Sequence, residues 1–461
     1  MIYYCHKDER QLTLQRKEKG NNIMRRGFVK RAVALAMIGC IATSTVGCST
    51  GGDTTAEKSE EKESVNTDEK TKITFWAPFS GGDGDVMTSM VDQFNAQSDS
   101  TEVEFMIFKG EEYYTKLLAA MTSDSAPTVA INHITRIKEY VTDGLLEPLD
   151  ELAKTQNVDW SDFSEKLQSA SVIDGVHYCM PIDTHLLLMH YNTDEFEKMG
   201  LLEEDGTVQV PKGEEEFFAY FENVKSQLEN GKMAISGTSA NGLPMYLWST
   251  LLSQYGGSIC DESGKTAMLD TEANKNALRV MMQMVDSGIW PKNQKNGGEL
   301  FTGKIAVSTI NGDWAIPTFS SAEGLNFVSM PFPQIGPESG VYADSHTLVI
   351  PKSQTLTDEE KASAIEFMKW IVDHTAEWAT VGHIPSSKSV LESDEFKKLP
   401  YIPAYAEAAK NASFFPQVCG VAGMTEVAQR EVSAMVAGEQ DVDTTAANMQ
   451  QQFQKILDSY N

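Results

Sequence analysis

Two aromatic residues near the start of the predicted folded region could bind a polyhydroxylated ligand. Trp76 ends the run Ile73-Thr74-Phe75-Trp76, which has the pattern of a β-strand, and Phe79 and Asp83 follow in the next loop. An aromatic face can stack on the C–H patches of a sugar ring, and a carboxylate can accept hydrogen bonds from its hydroxyls. The alternative for Trp76 is a place in the hydrophobic core.

The glycine-rich turn after Phe79 does not predict a phosphate site. It reads GGDGD from Gly81 to Asp85 and lacks the Lys-Ser or Lys-Thr pair of a P-loop. We expect a tight turn, with Asp85 capping the helix that follows. The chain also lacks a G-x-S-x-G nucleophile motif. A glycoside hydrolase with paired carboxylates remains an alternative, because 66 Asp and Glu residues offer many pairs.

The cysteines and histidines do not have the spacing of metal ligands. Six cysteines are scattered without a C-x-x-C pair, and we expect Cys179, Cys260 and Cys419 to be buried free thiols. The eight histidines form no H-x-x-x-H pair, and a strand would point His185 and His190 to opposite faces. The sequence therefore predicts no metal site and no cofactor.

Residues 24–48 have the three parts of an export signal. Basic residues precede the short apolar stretch 32–41, and Thr45-Val46-Gly47-Cys48 resembles the lipobox of lipoprotein signal peptides, with Thr45 where Leu is usual. The pattern predicts a signal peptide at 24–47 and lipidation of Cys48, with Cys40 as the alternative. Residues 1–23 are polar and charged, so we interpret Met24 as the translation start.

Residues 48–72 are predicted to be a disordered tether. They contain no aromatic residue and a single Val, which is too little to form a core. The formal net charge of the chain is −28, which disfavours nucleic acid as a partner. Together these features predict a folded region on the extracellular face of the cell membrane, anchored by lipid.

Helix and strand patterns alternate from Ile73 onward. Apolar residues at i, i+3, i+4 and i+7 recur in segments that begin at Met87, Tyr114, Leu278 and Ala364. Short strand candidates lie between such segments, at 103–108, 129–131, 186–190, 305–310, 327–330 and 347–350. Helix N-termini are predicted at Asp270 or Thr271 and at Thr357-Asp358. The alternation predicts an α/β fold with largely parallel sheets.

Several longer segments stand in a fixed order along residues 73–460. They are ITFWAPF with VDQFN, YYTKLLAAMTSDSAPTVAIN, DGLLEPLDEL, GVHYCMPIDTHLLLMHYNTDEF, ALRVMMQMVDSGIW, LFTGKIAVSTINGDWAI, SHTLVIPKS and EFMKWIVDHTAEWATVGHIPSS. With these segments the chain resembles the family 1 extracellular solute-binding proteins of ABC importers, the maltodextrin-binding type. Asn132 is a departure, because it stands where that family more often has an acid.

The resemblance implies a two-lobed periplasmic-binding-protein type II fold with the ligand in the cleft. Three chain crossings between the lobes are expected near 182–185, 311–314 and 350–351. Lobe one would contain 73–183 and 313–350, and lobe two 184–312 and 351–461. Both lobes would be discontinuous, joined by a three-segment hinge that closes around ligand.

The resemblance also implies where ligand-binding residues lie. Asp183 and His185 fall at the first expected crossing, and Asp313 and Trp314 at the second. The other candidates fall in segments expected near the cleft: His133, Tyr246, Trp248, His346 and His383. A buried helix face is the alternative for Trp248, and a surface loop is the alternative for His133.

The function implied by the resemblance is that of a non-catalytic receptor. It would close on a carbohydrate outside the cell and deliver it to the permease subunits of an ABC importer, acting as a monomer. Besides the glycoside hydrolase, a receptor that reports to a sensor kinase remains an alternative.

Overall fold

The first strand begins just before the predicted end of the tether. The computed structural model describes residues 70–460, except 80, 111, 124, 238–241 and 293. The predicted signal peptide, Cys48 and the tether up to residue 69 lie outside the described residues. Thr71 and Lys72 pair with the strand that begins at Thr101, so the prediction that the tether extends to Lys72 is wrong by these two residues.

The strands of the described residues, in chain order, are β1 (Thr71–Ala77), β2 (Thr101–Ile107), β3 (Val129–His133), β4 (Val172–Ile173), β5 (Val176–His177), β6 (Met180–Pro181), β7 (Asp183–Asn192), β8 (Met233–Ser236), β9 (Ala306–Gly312), β10 (Phe327–Pro331), β11 (Val341–Asp344), β12 (His346–Val349), β13 (Ile384–Pro385) and β14 (Ala412–Ser413). Each of the six predicted strand segments overlaps one of them.

The α-helices of the described residues are α1 (Gly82–Gln97), α2 (Glu112–Thr122), α3 (Ile137–Thr142), α4 (Asp150–Lys154), α5 (Glu165–Ser171), α6 (Thr193–Lys198), α7 (Glu214–Ser226), α8 (Leu243–Gln254), α9 (Glu272–Asp286), α10 (Gly297–Thr302), α11 (Ile316–Ser320), α12 (Asp358–Asp373), α13 (Thr375–Trp378), α14 (Lys388–Glu392), α15 (Ile402–Tyr405), α16 (Val421–Ala437) and α17 (Val442–Tyr460). Short 3-10 helices include Ile134–Arg136, Trp160–Asp162, Asp313–Ala315 and Ala379–Val381. None of the described helices is long and apolar enough to span a membrane.

The two main sheets are mixed in strand direction. The first has the order β2-β1-β3-β12-β6, and the second β14-β11-β7-β9-β8, with β10 and β13 also paired to β7. In the first sheet β12 is antiparallel to β3 and β6, and in the second β7 is antiparallel to β9, β10, β11 and β13. The predicted α/β class is confirmed, but the prediction of largely parallel sheets is wrong, because hydrophobic periodicity carries no information on strand direction.

The chain passes between the two sheets at three places. The first crossing follows Ile182, between β6 and β7, and the second is Ser345 alone, between β11 and β12. The third is Gly382-His383, because Val381 packs in the core of the first sheet and Ile384 pairs with β7. We call residues 70–182 and 346–381 the first lobe, and 183–344 and 384–460 the second lobe.

Two of the three expected crossings differ from this arrangement. Residues 311–314 end β9 and continue into helix α11, whose Ile316 and Phe319 stay in the core of the second sheet. Residues 350–351 lead into α12, whose Phe367 contacts Phe75 of β1 at a ring-centroid distance of 5.2 Å. Segment 313–344 therefore belongs to the second lobe, and 351–381 to the first.

Local helix signals agree with the structure except at the glycine-rich turn. The Thr271 side chain accepts the Asn274 N–H at the start of α9, and Thr357 forms a capping box with Glu360 at the start of α12. Helix α1 begins earlier than expected, directly after Gly81 at φ 59°. Asp85 therefore lies in the first turn, and the prediction that it caps the helix is wrong.

Cys179, Cys260 and Cys419 are free thiols, as predicted. Cys179 and Cys260 are also buried, whereas Cys419 is partly exposed, so the prediction of burial is wrong for Cys419. Burial in apolar surroundings raises the pKa of Cys179 to about 12, so this thiol is unreactive at neutral pH.

Candidate functional site

Asp183 lies directly after the first crossing and binds residues that precede or follow the other two. Its Oδ1 accepts the backbone N–H of His346 at 2.9 Å, and its Oδ2 accepts Nε1–H of Trp378 at 2.7 Å. Nδ1 of His346 lies 2.8 Å from Oδ2, and Nδ1 of His185 lies 3.2 Å from Oδ1. Burial alone would raise the pKa of Asp183, but His346 and His185 hold it well below its ordinary value. This carboxylate therefore ties the crossings together.

Four histidines from four distant segments meet around Asp183. His185 and His346 have ring centroids 4.4 Å apart, and His133 lies 5.4 and 4.9 Å from them. His383, at the third crossing, lies 5.3 Å from His346. All four were sequence candidates, and the structure brings all four together between the lobes.

The protonation of these rings follows from their neighbours. Burial lowers the pKa of His133 well below its ordinary value, and His346 and His185 lower it further. Burial also lowers the pKa of His346. For His185 burial acts in the same sense, but the Asp183 carboxylate outweighs it, so its pKa is raised.

His383 lies between two carboxylates. Its Nε2 is 3.6 Å from Asp83 Oδ2 and its Nδ1 is 3.5 Å from Asp313 Oδ1. These distances exceed a good hydrogen bond. Burial would lower the pKa of His383, but Asp313 and Asp83 raise it well above its ordinary value. Burial raises the pKa of Asp313, whose Oδ2 accepts the backbone N–H of Leu186 at 3.2 Å.

A series of ring contacts runs from the first lobe to the second. On the first-lobe side the guanidinium of Arg136 lies 3.9 Å from the centre of the Tyr114 ring, which contacts His133 at 5.8 Å. On the other side Trp314 contacts His185 at 5.9 Å and Tyr246 at 5.7 Å. Trp314 and Tyr246 are both half-buried, so each retains surface that a ligand can cover.

Trp76 and Phe79 have different surroundings. Trp76 is half-buried at the end of β1 against Phe108, and its Nε1 has no hydrogen-bond partner among the described residues. Phe79 is buried and contacts the rings of His346 and Trp378 at 5.1 and 4.8 Å. Trp76 therefore remains a candidate ligand contact. Phe79 is buried and instead packs against the rings of His346 and Trp378.

Trp248 does not belong to the site. It is fully buried in α8, its Nε1 donates to Asn274 Oδ1 at 2.6 Å, and its ring contacts Phe453 in the second-lobe core. The prediction that Trp248 binds ligand is therefore wrong. Trp248 and Tyr246 are two positions apart, and two helical steps turn a side chain to the far side of the helix.

Sequence reasoning missed four members of the site. Tyr114 was assigned to an apolar helix stripe, and Arg136 and Trp378 had no distinguishing spacing. A fourth, Asp344, lies directly before the second crossing, and its position beside His346 was the available signal. Burial raises the pKa of Asp344.

The chain matches known proteins over most of its length. Residues 89–404 match the family model described as bacterial extracellular solute-binding protein. The diacetylchitobiose binding protein DasA of Streptomyces coelicolor is 22% identical over 402 residues, which cover 84% of this chain and 89% of that protein.

Two solved structures show the same two-lobed fold. The cyclic alpha-maltosyl-1,6-maltose binding protein of Arthrobacter globiformis superposes with a TM-score of 0.70 and 23% identity, covering 85% of this chain and 100% of that one. UgpB of Mycobacterium tuberculosis, in complex with glycerophosphocholine, gives a TM-score of 0.74 at 19% identity, with coverage of 85% and 100%. These likenesses confirm the predicted fold.

Proposed function

The chain belongs to the bacterial extracellular solute-binding proteins, and we propose that it binds a carbohydrate in the cleft between its two lobes. The observation that carries this proposal is the half-buried aromatic surface of Trp314 and Tyr246 beside the polar groups at the crossings. Stacking faces next to hydrogen-bonding side chains are what a sugar requires. The ligands in the names of DasA and the Arthrobacter protein are saccharides, which supports the same class.

The crossings also suit a receptor that opens and closes. Short segments connect the lobes, and the second is the single residue Ser345. Few residues would therefore absorb a change in lobe angle. In our proposal the closed, ligand-bound form delivers the carbohydrate to the permease of an ABC importer, and the protein itself is not an enzyme.

A thermal-shift screen tests the ligand class. The purified protein is melted with diacetylchitobiose, maltotriose, lactose and cyclic alpha-maltosyl-1,6-maltose, and with glycerophosphocholine as the non-saccharide comparison. We expect one saccharide class to raise Tm, because a ligand at 100 times its Kd adds about 2.7 kcal/mol to the native state. Stabilisation by glycerophosphocholine alone, or hydrolysis of a saccharide without equilibrium binding, would overturn the proposal.

The lipid anchor is a separate part of the proposal. Its support is the sequence pattern that ends at Cys48, together with the extracellular family. In cells that express the full chain, Cys48→Ala should move the protein from the membrane fraction to the soluble fraction. Cys40→Ala is the matched control and should leave it in the membrane fraction. The reverse result would assign the anchor to Cys40.

A further inference from the structure

His133, His185 and Asp344 place three possible metal-ligand atoms within 4.8 Å of one another. His133 ends β3 of the first lobe, and His185 and Asp344 lie opposite each other in the paired strands β7 and β11 of the second lobe. Two histidines and one carboxylate form a ligand set that suits divalent transition metals. We propose that these three residues bind one divalent transition-metal ion, for which Zn²⁺ is the probe of choice.

The two histidines are oriented by hydrogen bonds to their other ring nitrogen. Nδ1 of His133 is hydrogen-bonded to the hydroxyl of Tyr114, and Nδ1 of His185 to the carboxylate of Asp183. Nε2 is therefore the nitrogen left on each ring to bind an ion. Histidines that bind metals are commonly held in this way, because the second hydrogen bond fixes the tautomer and the direction of the ring.

Asp344 is fixed in the same manner. Its Oδ2 accepts the hydroxyl of Thr135 at 2.9 Å and its Oδ1 accepts the backbone N–H of Ser345 at 2.9 Å. Each carboxylate oxygen has a second lone pair, so both hydrogen bonds can persist while the carboxylate binds an ion. Thr135 belongs to the first lobe, so this carboxylate already contacts both lobes.

A second grouping in the cluster consists of Asp183, His185, His346 and His383. It is the weaker candidate, because Asp183 already accepts four hydrogen bonds, two of them from Nδ1 of His185 and His346. An ion in that place would have to break them. At the proposed site these bonds are kept, and the one from Nδ1 of His185 holds a ligand in position.

The position of the site has a consequence for lobe closure. His133 comes from the first lobe, whereas His185 and Asp344 come from the second, so an ion bound to all three favours the lobe arrangement of this structure, in which their ligand atoms converge. His133 is half-buried, so solvent or a bound molecule can supply the remaining ligands of the ion. The metal site does not depend on the carbohydrate proposal.

The test is a metal titration of the full chain after chelator treatment, without saccharide. Calorimetry with Zn²⁺ should give one ion per chain, and Co²⁺ should produce visible d–d absorption of a site with nitrogen ligands. Tyr114→Phe should weaken binding about 10–100-fold by freeing the ring of His133, and His133→Ala should weaken it further. His374→Ala is the matched control, because His374 is also half-buried but stacks on Trp370 outside the cluster. The affinity of this variant for Zn²⁺ should equal that of the wild type.

Each variant is first melted without metal to establish that it folds. If His133→Ala does not fold, Tyr114→Phe, which removes one hydroxyl, carries the test. The proposal is overturned if the wild type binds no stoichiometric Zn²⁺. It is also overturned if Tyr114→Phe and His133→Ala bind Zn²⁺ with the same affinity as His374→Ala. A failed metal titration leaves the saccharide screen intact, so the two proposals are tested separately.

Discussion

Asp183 binds His346 through both of its carboxylate oxygens, one to the backbone N–H at 2.9 Å and the other to ring Nδ1 at 2.8 Å. The first crossing is thereby joined to the second at a fully buried point. Trp378, four residues before the third crossing, donates to the same carboxylate. One carboxylate therefore links the chain segments at all three crossings.

Replacing this carboxylate should destabilise the protein. Asp183→Asn keeps the size but places an amide NH₂ where buried donors point, and we expect a loss of about 2–4 kcal/mol in the free energy of unfolding. Urea denaturation measures it. Asp394→Asn, in an exposed turn, is the control and should unfold like the wild type. Equal stability of the two variants would show that Asp183 does not hold the crossings together.

Gly312→Ala should impair ligand binding by displacing Trp314. A Cβ at Gly312 would lie 2.2 Å from the Trp314 ring, so the half-buried indole must move. We expect an affinity loss comparable to that of Trp314→Ala, with a folded protein. Gly298→Ala is the control, because its Cβ would meet nothing closer than 3.8 Å. The two variants are compared by calorimetric titration with the carbohydrate that stabilises the protein. Equal affinity of Gly312→Ala and Gly298→Ala would contradict the claim that displacing Trp314 impairs binding.

Glu139 contacts the second lobe from the first. Its Oε2 accepts the N–H of Gly420 at 3.1 Å and its Oε1 accepts the hydroxyl of Tyr460 at 3.3 Å. Glu139→Ala should weaken ligand binding about 3–10-fold, because closure loses contacts worth roughly 1 kcal/mol. Glu151→Ala removes a carboxylate that pairs within the first lobe and should bind as the wild type does. An unchanged Kd for Glu139→Ala would show that this contact does not contribute to lobe closure.

Stability should depend on pH through Glu431. This buried carboxylate joins α16 to α17 by accepting Nε2–H of Gln452 at 2.9 Å and Nδ2–H of Asn448 at 3.0 Å. Burial would raise its pKa, but these donors lower it. A lowered folded-state pKa means that the stabilisation is present above the ordinary carboxyl pKa of about 4.3 and is lost as pH falls through the folded value.

Glu431→Gln should therefore cost about 1–3 kcal/mol at neutral pH and flatten the acid limb of the stability profile. Glu426→Gln, exposed on the same helix, is the matched control. Denaturant unfolding between neutral and acidic pH measures both. A Glu431→Gln profile parallel to that of the control would contradict the assignment.

Local signals predicted local structure well. Helix starts are predicted at Asp270 or Thr271 and at Thr357-Asp358, and Thr271 and Thr357 are the capping residues, because a cap depends on residues three positions apart. The direction of each strand and the places where the chain crosses between the lobes were harder to predict. Ser345, the whole of the second crossing, has no glycine or proline beside it, so no strong turn signal separates β11 from β12.

The site was predicted as a set of residues but not as an arrangement. His133, His185, His346 and His383 are each candidates near the expected cleft, but the absence of H-x-x-x-H spacing argues against a shared metal site. Their meeting depends on pairings such as His346 with His133 and Asp344 with His185. Those pairings join segments more than a hundred residues apart, which spacing rules do not reach.

The carbohydrate site at the crossings is tested most directly by calorimetric titration of three proteins with the stabilising saccharide. Trp160→Ala is the matched control, since Trp160 is also half-buried in a 3-10 helix and stacks on a histidine, away from the crossings. We predict that Trp314→Ala binds at least about fivefold more weakly than the wild type, a loss of roughly 1 kcal/mol, and that Trp160→Ala binds equally well. Wild-type affinity in Trp314→Ala, or no saccharide binding in any of the three, would contradict the account.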